Sequence, residues 1–245
     1  MRPRALRAQT RTEIALTLRR GESVLLTLGI PVVLLVFFSV ADVLPHPSRS
    51  HHAVDFLFPG VLALAVMSAA MVGPAIATGF EREYGVLKRL AVTPLGRPAM
   101  IVAKTLAILA VEVVQVAVLT VVAVSLGWGS TGTRPLGALG AVLLGTVAFA
   151  GIGLLLGGTL PGLTTLAAAN GLYVLLLLVG GMLFPLENLP GWLQAISRAL
   201  PPASLADLLH GTLAAHGDAP LRAWLVLTAW AIAAPAVAAK RFRWL

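Results

Sequence analysis

Few side chains in this 245-residue sequence have the chemistry that catalysis or metal binding requires. The absence of cysteine excludes disulfides, thiolate metal sites and thiol catalysis. His46, His51 and His52 occur close to Asp55, and imidazole and carboxylate groups are common zinc ligands. Their spacing matches no known zinc site, and histidine-rich loops are usually solvated, so we expect no metal to bind there.

Three polar residues within apolar stretches are the other candidates. Glu112 lies well inside one such stretch, and Gln115 follows three residues later on the same helical face. An ionisable group in hydrocarbon is costly, so it marks either a transport pathway or a hydrogen bond that fixes packing. Asn170 in a later stretch presents the same two alternatives. No His/Asp or Ser/His pair accompanies them, which argues against an intramembrane enzyme.

The segment from Glu81 to Pro98 is the only long interior stretch that is dense in charge. Within it, Val86, Leu87 and Leu90 form an apolar patch at helical spacing, and Pro94 ends the helix because it disfavours helical backbone in the preceding residue. Such a patch fits either a groove on a soluble partner or the surface of a lipid bilayer. Composition alone favours neither.

The elements that hold these residues are membrane-spanning helices. The chain is 58% hydrophobic and 11% charged, whereas a soluble domain is about 25% charged. We therefore predict an all-α polytopic membrane protein whose transmembrane domain covers residues 24–245. Its six predicted spans are residues 24–41, 56–80, 100–126, 136–160, 164–184 and 221–239.

Residues 1–23 are predicted to form a separate amphipathic helix. Leu6, Thr10, Ile14 and Leu18 recur at four-residue spacing and so share one helical face, with arginines around the others. A basic helix of this kind lies flat on an anionic inner leaflet. A frayed cytoplasmic tail is the alternative.

The basic residues predict the orientation of the chain. With both termini inside the cell, fourteen of the eighteen lysines and arginines fall on the cytoplasmic side and four on the other. This is the asymmetry of the positive-inside rule. The net charge of +8 therefore indicates a membrane protein and no nucleic-acid partner.

Small residues form a stripe in the fourth predicted span. Gly137, Ala141 and Gly145 recur every four residues, and Gly153 and Gly157 continue the pattern. Small residues at this spacing let helices approach closely. We expect the stripe to serve packing within the chain.

Two segments resemble one known family. Residues 81–95 read Glu-Arg-Glu-x-Gly-Val-Leu-x-x-Leu-x-x-Thr-Pro-Leu and are similar to the cytoplasmic loop of type-2 ATP-binding-cassette (ABC) exporter permeases. Residues 184–194, followed by Pro201 and Pro202, resemble the short external helices of the same family, which dip toward the membrane between spans five and six.

The resemblance implies roles for particular residues. A coupling helix between spans two and three would contact a separate ATPase through Glu81, Arg82, Glu83, Gly85, Leu87, Lys88, Leu90 and Pro94. The N-terminal connecting helix would contribute Arg11, Ile14, Leu18 and Arg19. The external re-entrant helices would contain Pro185, Leu189, Pro190 and Trp192.

The resemblance also implies partners and a function. A second permease copy, as a homodimer or related heterodimer, would join two copies of an ABC ATPase that binds ATP and magnesium. The sequence contains no phosphate-binding P-loop, so we expect no cofactor on this chain and no enzyme activity of its own. The expected function is export of an amphipathic or hydrophobic compound across the cell membrane. A proton-coupled transporter using Glu112 is the alternative.

Overall fold

The computed structural model describes residues 3–19, 21–41, 53–91, 96–129, 132–182, 186, 189–214 and 217–242. These residues are almost entirely helical, and no β-strand occurs among them. The α-helices of the described residues are α1 (Pro3–Arg19), α2 (Gly21–Ala41), α3 (Ala53–Met67), α4 (Gly73–Glu83), α5 (Val86–Ala91), α6 (Arg97–Ser125), α7 (Pro135–Thr159), α8 (Gly162–Val179), α9 (Gly191–Arg198), α10 (Pro201–Leu213) and α11 (Leu221–Arg241).

Five helical stretches of the described chain are long and apolar enough to cross a membrane. They are Ala53–Glu83, Pro98–Ser125, Pro135–Thr159, Gly162–Val179 and Leu221–Arg241. The prediction of an all-α chain with several helices of membrane-spanning length is confirmed. The first predicted span falls on α2, where the described apolar part, Thr27–Ala41, is shorter than a full span, so the sixth crossing stays a prediction.

The second predicted span is one continuous helical stretch with a change of winding in the middle. A π-helical turn, Ser68–Val72, separates α3 from α4 and ends directly before Gly73 and Pro74. Pro74 has no backbone N–H to continue an α-helical ladder, and wider turns are one way for a helix to absorb such a break. The interruption predicted at Gly73-Pro74 therefore takes the form of a π turn.

Helix α7 lies at the centre of the bundle and has glycines on more than one face. A Cβ atom at Gly153 would clash with the backbone of Met71, and one at Gly157 would clash with the carbonyl of Ala75. Gly151 faces α11 with the same tight fit, against Pro235. The prediction that the small-residue stripe serves internal packing is confirmed.

Replacing Gly153 with alanine is expected to lower the stability of the chain strongly, because the new methyl group meets backbone atoms that cannot move aside. Gly29→Ala on α2 is the matched control, since nothing lies within 4 Å of a Cβ there. Thermal unfolding of the two variants in detergent should show a lower midpoint for Gly153→Ala only. Equal midpoints would contradict the close contact of α7 with the π turn.

Helix α10 is buried among the longer helices of the bundle. It follows the segment that resembles the family's short helices between spans five and six, and most of Pro201–Leu213 is buried against α3, α7 and α11. A ring nitrogen of His210 lies 3.0 Å from the carbonyl oxygen of Phe56 and so links α10 to α3. The preceding helix α9 is amphipathic and exposes Trp192.

The helix ends form two groups at opposite ends of the bundle. At one end, which we call the Trp128 end, the ring of Trp128 after α6 packs on Phe58 of α3 at 4.7 Å, and the N–H of Arg134 before α7 donates to Thr212 of α10. At the other, which we call the Lys104 end, the start of α6 meets α1, the end of α4 and the end of α11.

Candidate functional site

The charged segment forms a sharp corner between α4 and α5 at the Lys104 end. Helix α4 closes with N–H groups of Tyr84 and Gly85 that donate to the carbonyl oxygens of Phe80 and Arg82, at 2.9 and 3.1 Å. Gly85 has a φ of +71°, the left-handed conformation that ends many helices. The Tyr84 ring stacks on Phe80 with a centroid separation of 5.9 Å. The chain then begins α5 at Val86.

Replacing Gly85 with alanine is expected to destabilise the corner by about 1 kcal/mol, because a side chain with a Cβ is strained at positive φ. Gly85→Asn is the control, since asparagine tolerates this conformation better than alanine does. The lower thermal midpoint should belong to Gly85→Ala. If both variants unfold at the same temperature, the left-handed turn does not stabilise the corner.

A buried ionic cluster joins the corner to the N-terminal helix. Lys104 Nζ on α6 lies 2.8 Å from a carboxylate oxygen of Glu81 on α4 and 3.1 Å from one of Glu13 on α1. Lys104 is only 5% exposed, and the two carboxylates are 12 to 17% exposed. One ammonium group therefore holds three helices together at the point where the chain turns into the corner.

Glu83 connects the same corner to a further helix. Its carboxylate accepts a hydrogen bond of 3.1 Å from the N–H of Gly162, the first residue of α8. The N-terminus of a helix presents unpaired N–H groups and a partial positive charge, which a carboxylate stabilises. Because a Cβ at Gly162 would overlap Glu83 and Phe80, glycine at this position also permits the approach.

The docking patch predicted from the sequence is wrong about Leu87. Leu87 is fully buried in a cluster with Ala99, Met100 and Phe242, so it faces inward and cannot lie on an outer surface together with Val86. Helical spacing identifies residues that share a face, but not what covers that face. Leu87 instead packs α5 against the start of α6 and the end of α11.

The outward surface of the corner consists of other side chains, which we call the corner face. Tyr84 is 74% exposed and Val86 is 43% exposed, and Glu83 and Lys88 are exposed beside them. Arg82 is half-buried, and its Nη1 atom is itself buried, with no hydrogen-bond acceptor among the described residues. The corner face therefore combines an aromatic ring and an aliphatic side chain with the exposed charged residues Glu83 and Lys88.

The other predicted contact residues are only partly described. Leu90 lies in α5, but its side chain falls outside the described residues, as do those of Leu18 and Arg19 in α1. Pro94 and Pro185 lie outside them altogether. In α1, Arg11 is exposed and Ile14 is half-buried. In the predicted external re-entrant helices, Leu189 is half-buried, and Pro190 and Trp192 are exposed.

The polar residues within the spans differ in their surroundings. Glu112 is buried and hydrogen-bonds through Oε2 with the hydroxyl of Thr146 on α7. Gln115 is buried and donates to the carbonyl of Thr27 on α2 at 2.8 Å. Asn170 lies on the exposed side of α8, where its amide donates to the carbonyl of Leu166.

The predicted histidine loop cannot be compared, because His46, His51 and His52 lie outside the described residues. Asp55 accepts a long hydrogen bond of 3.4 Å from the N–H of Gly129 at the Trp128 end. Within the described part of the chain, no group of three histidine, aspartate or glutamate side chains is placed to hold a metal ion.

Sequence reasoning missed Glu13 and the pairing role of Lys104. Lys104 is one of the fourteen basic residues assigned to the cytoplasmic side, and Glu13 lies among the arginines of the N-terminal segment. A usable signal was present, since Lys104 lies seven residues after the start of a mostly apolar helix and such a charge needs a partner. The sequence did not reveal which of the acids at this end would supply one.

The comparison with known families agrees with the geometry. The family model for the ABC-2 type transporter matches residues 4–213, which include α1, the corner and helices α2 to α10. A search of curated proteins found no match.

Proposed function

Because the chain belongs to the ABC-2 type transporter family, we propose that it is the membrane permease subunit of an ABC exporter. It moves an amphipathic or hydrophobic compound out of the cell, using ATP that a separate subunit hydrolyses. Family membership and the apolar helices make the chain a multi-pass membrane component of a transport system.

The observation that carries the proposal is the way the corner is attached. Three of its residues connect it to four helices: Glu81 binds Lys104 of α6 and through it Glu13 of α1, Glu83 contacts α8, and Leu87 packs on α6 and α11. A displacement of the corner would therefore be passed to several helices at once. Such an attachment suits the point at which movement of a soluble subunit enters the membrane domain.

The partner is an ABC ATPase, as the family implies. We propose that two ATPase copies bind, each at the corner face of one permease. Tyr84 and Val86 supply exposed apolar area, and Lys88 supplies an exposed charge that a carboxylate of the partner can pair with. A groove that accepts an apolar patch with a charged rim is a common mode of helix recognition.

The proposed topology has six crossings with both termini in the cytoplasm. It is supported by the contacts of α1, the corner and the end of α11 at the Lys104 end. These are also the segments richest in lysine and arginine, which the positive-inside rule assigns to the cytoplasm. The Trp128 end then faces outward, with α9 and α10 as the external re-entrant pair.

We propose a second permease copy along α8. Only 22% of the apolar part of α8 is buried within the chain, close to the 28% of Leu221–Arg241, so the polar residue on its exposed side is what distinguishes α8. Exposed leucines and valines cover its outer side, and the polar side chain of Asn170 lies among them. Because an amide is unfavourable against lipid, a protein surface suits this side better than acyl chains do.

The proposal is tested by reconstituting the chain in liposomes with and without its ABC ATPase. We expect vanadate-sensitive efflux of fluorescent hydrophobic dyes only when both subunits and ATP are present. Efflux by the chain alone, driven by a proton gradient and lost in Glu112→Gln, would replace this function with proton-coupled transport. Failure of the two purified subunits to associate would also contradict it.

A further inference from the structure

The bundle contains an apolar cavity of about 410 Å³ between α3, α6 and α7, toward the Trp128 end. Phe58 and Leu62 of α3 form one wall, and Trp128 contributes a second aromatic ring beside Phe58. Val113 and Leu139 form the outer rim and are 69% and 54% exposed, so the cavity opens at the side of the bundle. Volumes of this order are typical of sites for small organic molecules.

Glu112 is the acidic side chain of this cavity, and its hydrogen bonding is incomplete. It is 1% exposed, and its Oε1 atom has no donor among the described residues. At Oε2 it meets Thr146, whose single hydroxyl proton also has the carbonyl of Val142 within 2.8 Å. One hydroxyl proton cannot fully satisfy both acceptors, so the carboxyl group has capacity for a further donor.

An ionised carboxylate at this depth is costly unless a cation or strong donors compensate it. Glu112 is fifteen residues from the start of α6, whereas the other acids of the candidate spans, Asp55, Glu81 and Glu83, lie near helix ends. Lys104 lies two turns away on the same helix and is already paired with Glu13 and Glu81. No cation of the described chain therefore pairs with Glu112.

We propose that this cavity binds an amphipathic amine, a molecule with one protonated nitrogen and an apolar, preferably aromatic, body. The ammonium group pairs with Glu112, and the body lies against Phe58, Leu62 and Trp128. The inference deepens the proposed function, on which it rests for the assumption that the bound amine is cargo. The carboxylate repels anions, and a neutral acyl chain would leave Oε1 of Glu112 without a donor.

The position of the cavity connects binding to the corner. The helical stretch that provides Phe58 and Leu62 continues through the π turn into α4 and ends at Glu83. One continuous stretch thus forms a cavity wall at one end and the start of the corner at the other. A displacement of the corner would shift this wall and change the fit of a bound amine.

The test measures binding to the full chain in nanodiscs of zwitterionic lipid, with and without its ABC ATPase. The probes are a fluorescent naphthyl-alkylamine and its N-acetylated, uncharged analogue. We expect Glu112→Gln to weaken binding of the amine at least tenfold and to leave the weaker binding of the amide within twofold. Val113→Trp, at the exposed rim, should weaken both probes because the indole fills the opening.

Three results would overturn the inference. They are unchanged amine affinity in Glu112→Gln, equal affinity of amine and amide for the unaltered chain, and unchanged binding of both probes in Val113→Trp. Because Val113 is on the surface, its variant tests the cavity even if Glu112→Gln fails to fold. If no amine binds while the complex assembles and hydrolyses ATP, only this inference fails. If the subunits do not associate, the proposed function fails.

Discussion

Replacing Lys104 with methionine is expected to destabilise the chain by about 3 kcal/mol or more and to abolish coupling to the ATPase. Removing one member of a buried ion pair leaves uncompensated charge, which typically costs about 3–5 kcal/mol. Here two carboxylates, Glu13 and Glu81, would remain close together with no cation between them. Thermal unfolding and vanadate-sensitive ATP hydrolysis by the reconstituted complex measure the two effects.

Lys88→Met is the matched control for this prediction. Lys88 belongs to the same corner but is exposed and forms no ion pair among the described residues, so its loss should leave the unfolding midpoint unchanged. Adding Glu13→Gln and Glu81→Gln to Lys104→Met removes the uncompensated charge and should restore much of the lost stability. If Lys104→Met is as stable as Lys88→Met, the cluster does not hold the three helices together.

Replacing Leu87 with aspartate is expected to detach α5 from the bundle and to prevent assembly with the ATPase. Leu87 is fully enclosed by Ala99, Met100 and Phe242, so the change removes apolar packing and introduces a carboxylate without a partner. Loss of a buried leucine side chain alone costs about 2–5 kcal/mol. We expect a lower unfolding midpoint, with membrane insertion intact because the spanning helices are unchanged.

Val86→Asp distinguishes the packing of α5 against the bundle from its contact with the ATPase. Val86 is adjacent in sequence but 43% exposed, so its change should hardly alter the unfolding midpoint and yet weaken recovery of the ATPase in pull-down. Leu87→Asp should impair both. Equal stability of the two variants would contradict the inward position of Leu87.

The sequence was sufficient for the class of fold because the signal is repeated along the chain. Apolar stretches of spanning length recur and are separated by polar or proline-containing segments, and each of the five candidate helices overlaps a predicted span. The small residues of α7 were also interpretable, since close approach is what glycine at four-residue spacing permits. In the structure, Gly153 and Gly157 make such contacts with the helix formed by α3 and α4.

The sequence was less informative about contacts between distant segments. Lys104 and Glu13 are 91 residues apart, and local pattern cannot show that they meet. The burial of Leu87 depends on Phe242 near the other end of the chain. The extent to which α10 is buried is a similar case, since a short apolar helix after Pro201-Pro202 is compatible with either a surface position or the burial that the structure shows.

The most direct measurement of the central claim uses the fact that the sequence contains no cysteine. Single cysteines at Tyr84 and Val86 on the corner face, and at exposed Leu136 at the Trp128 end, provide two test positions and a control. A bifunctional thiol–amine reagent is then applied to the assembled complex with the ABC ATPase. We expect crosslinks to the ATPase from positions 84 and 86, and none from position 136. Crosslinking from position 136, or assembly without crosslinks from either corner position, would contradict this expectation.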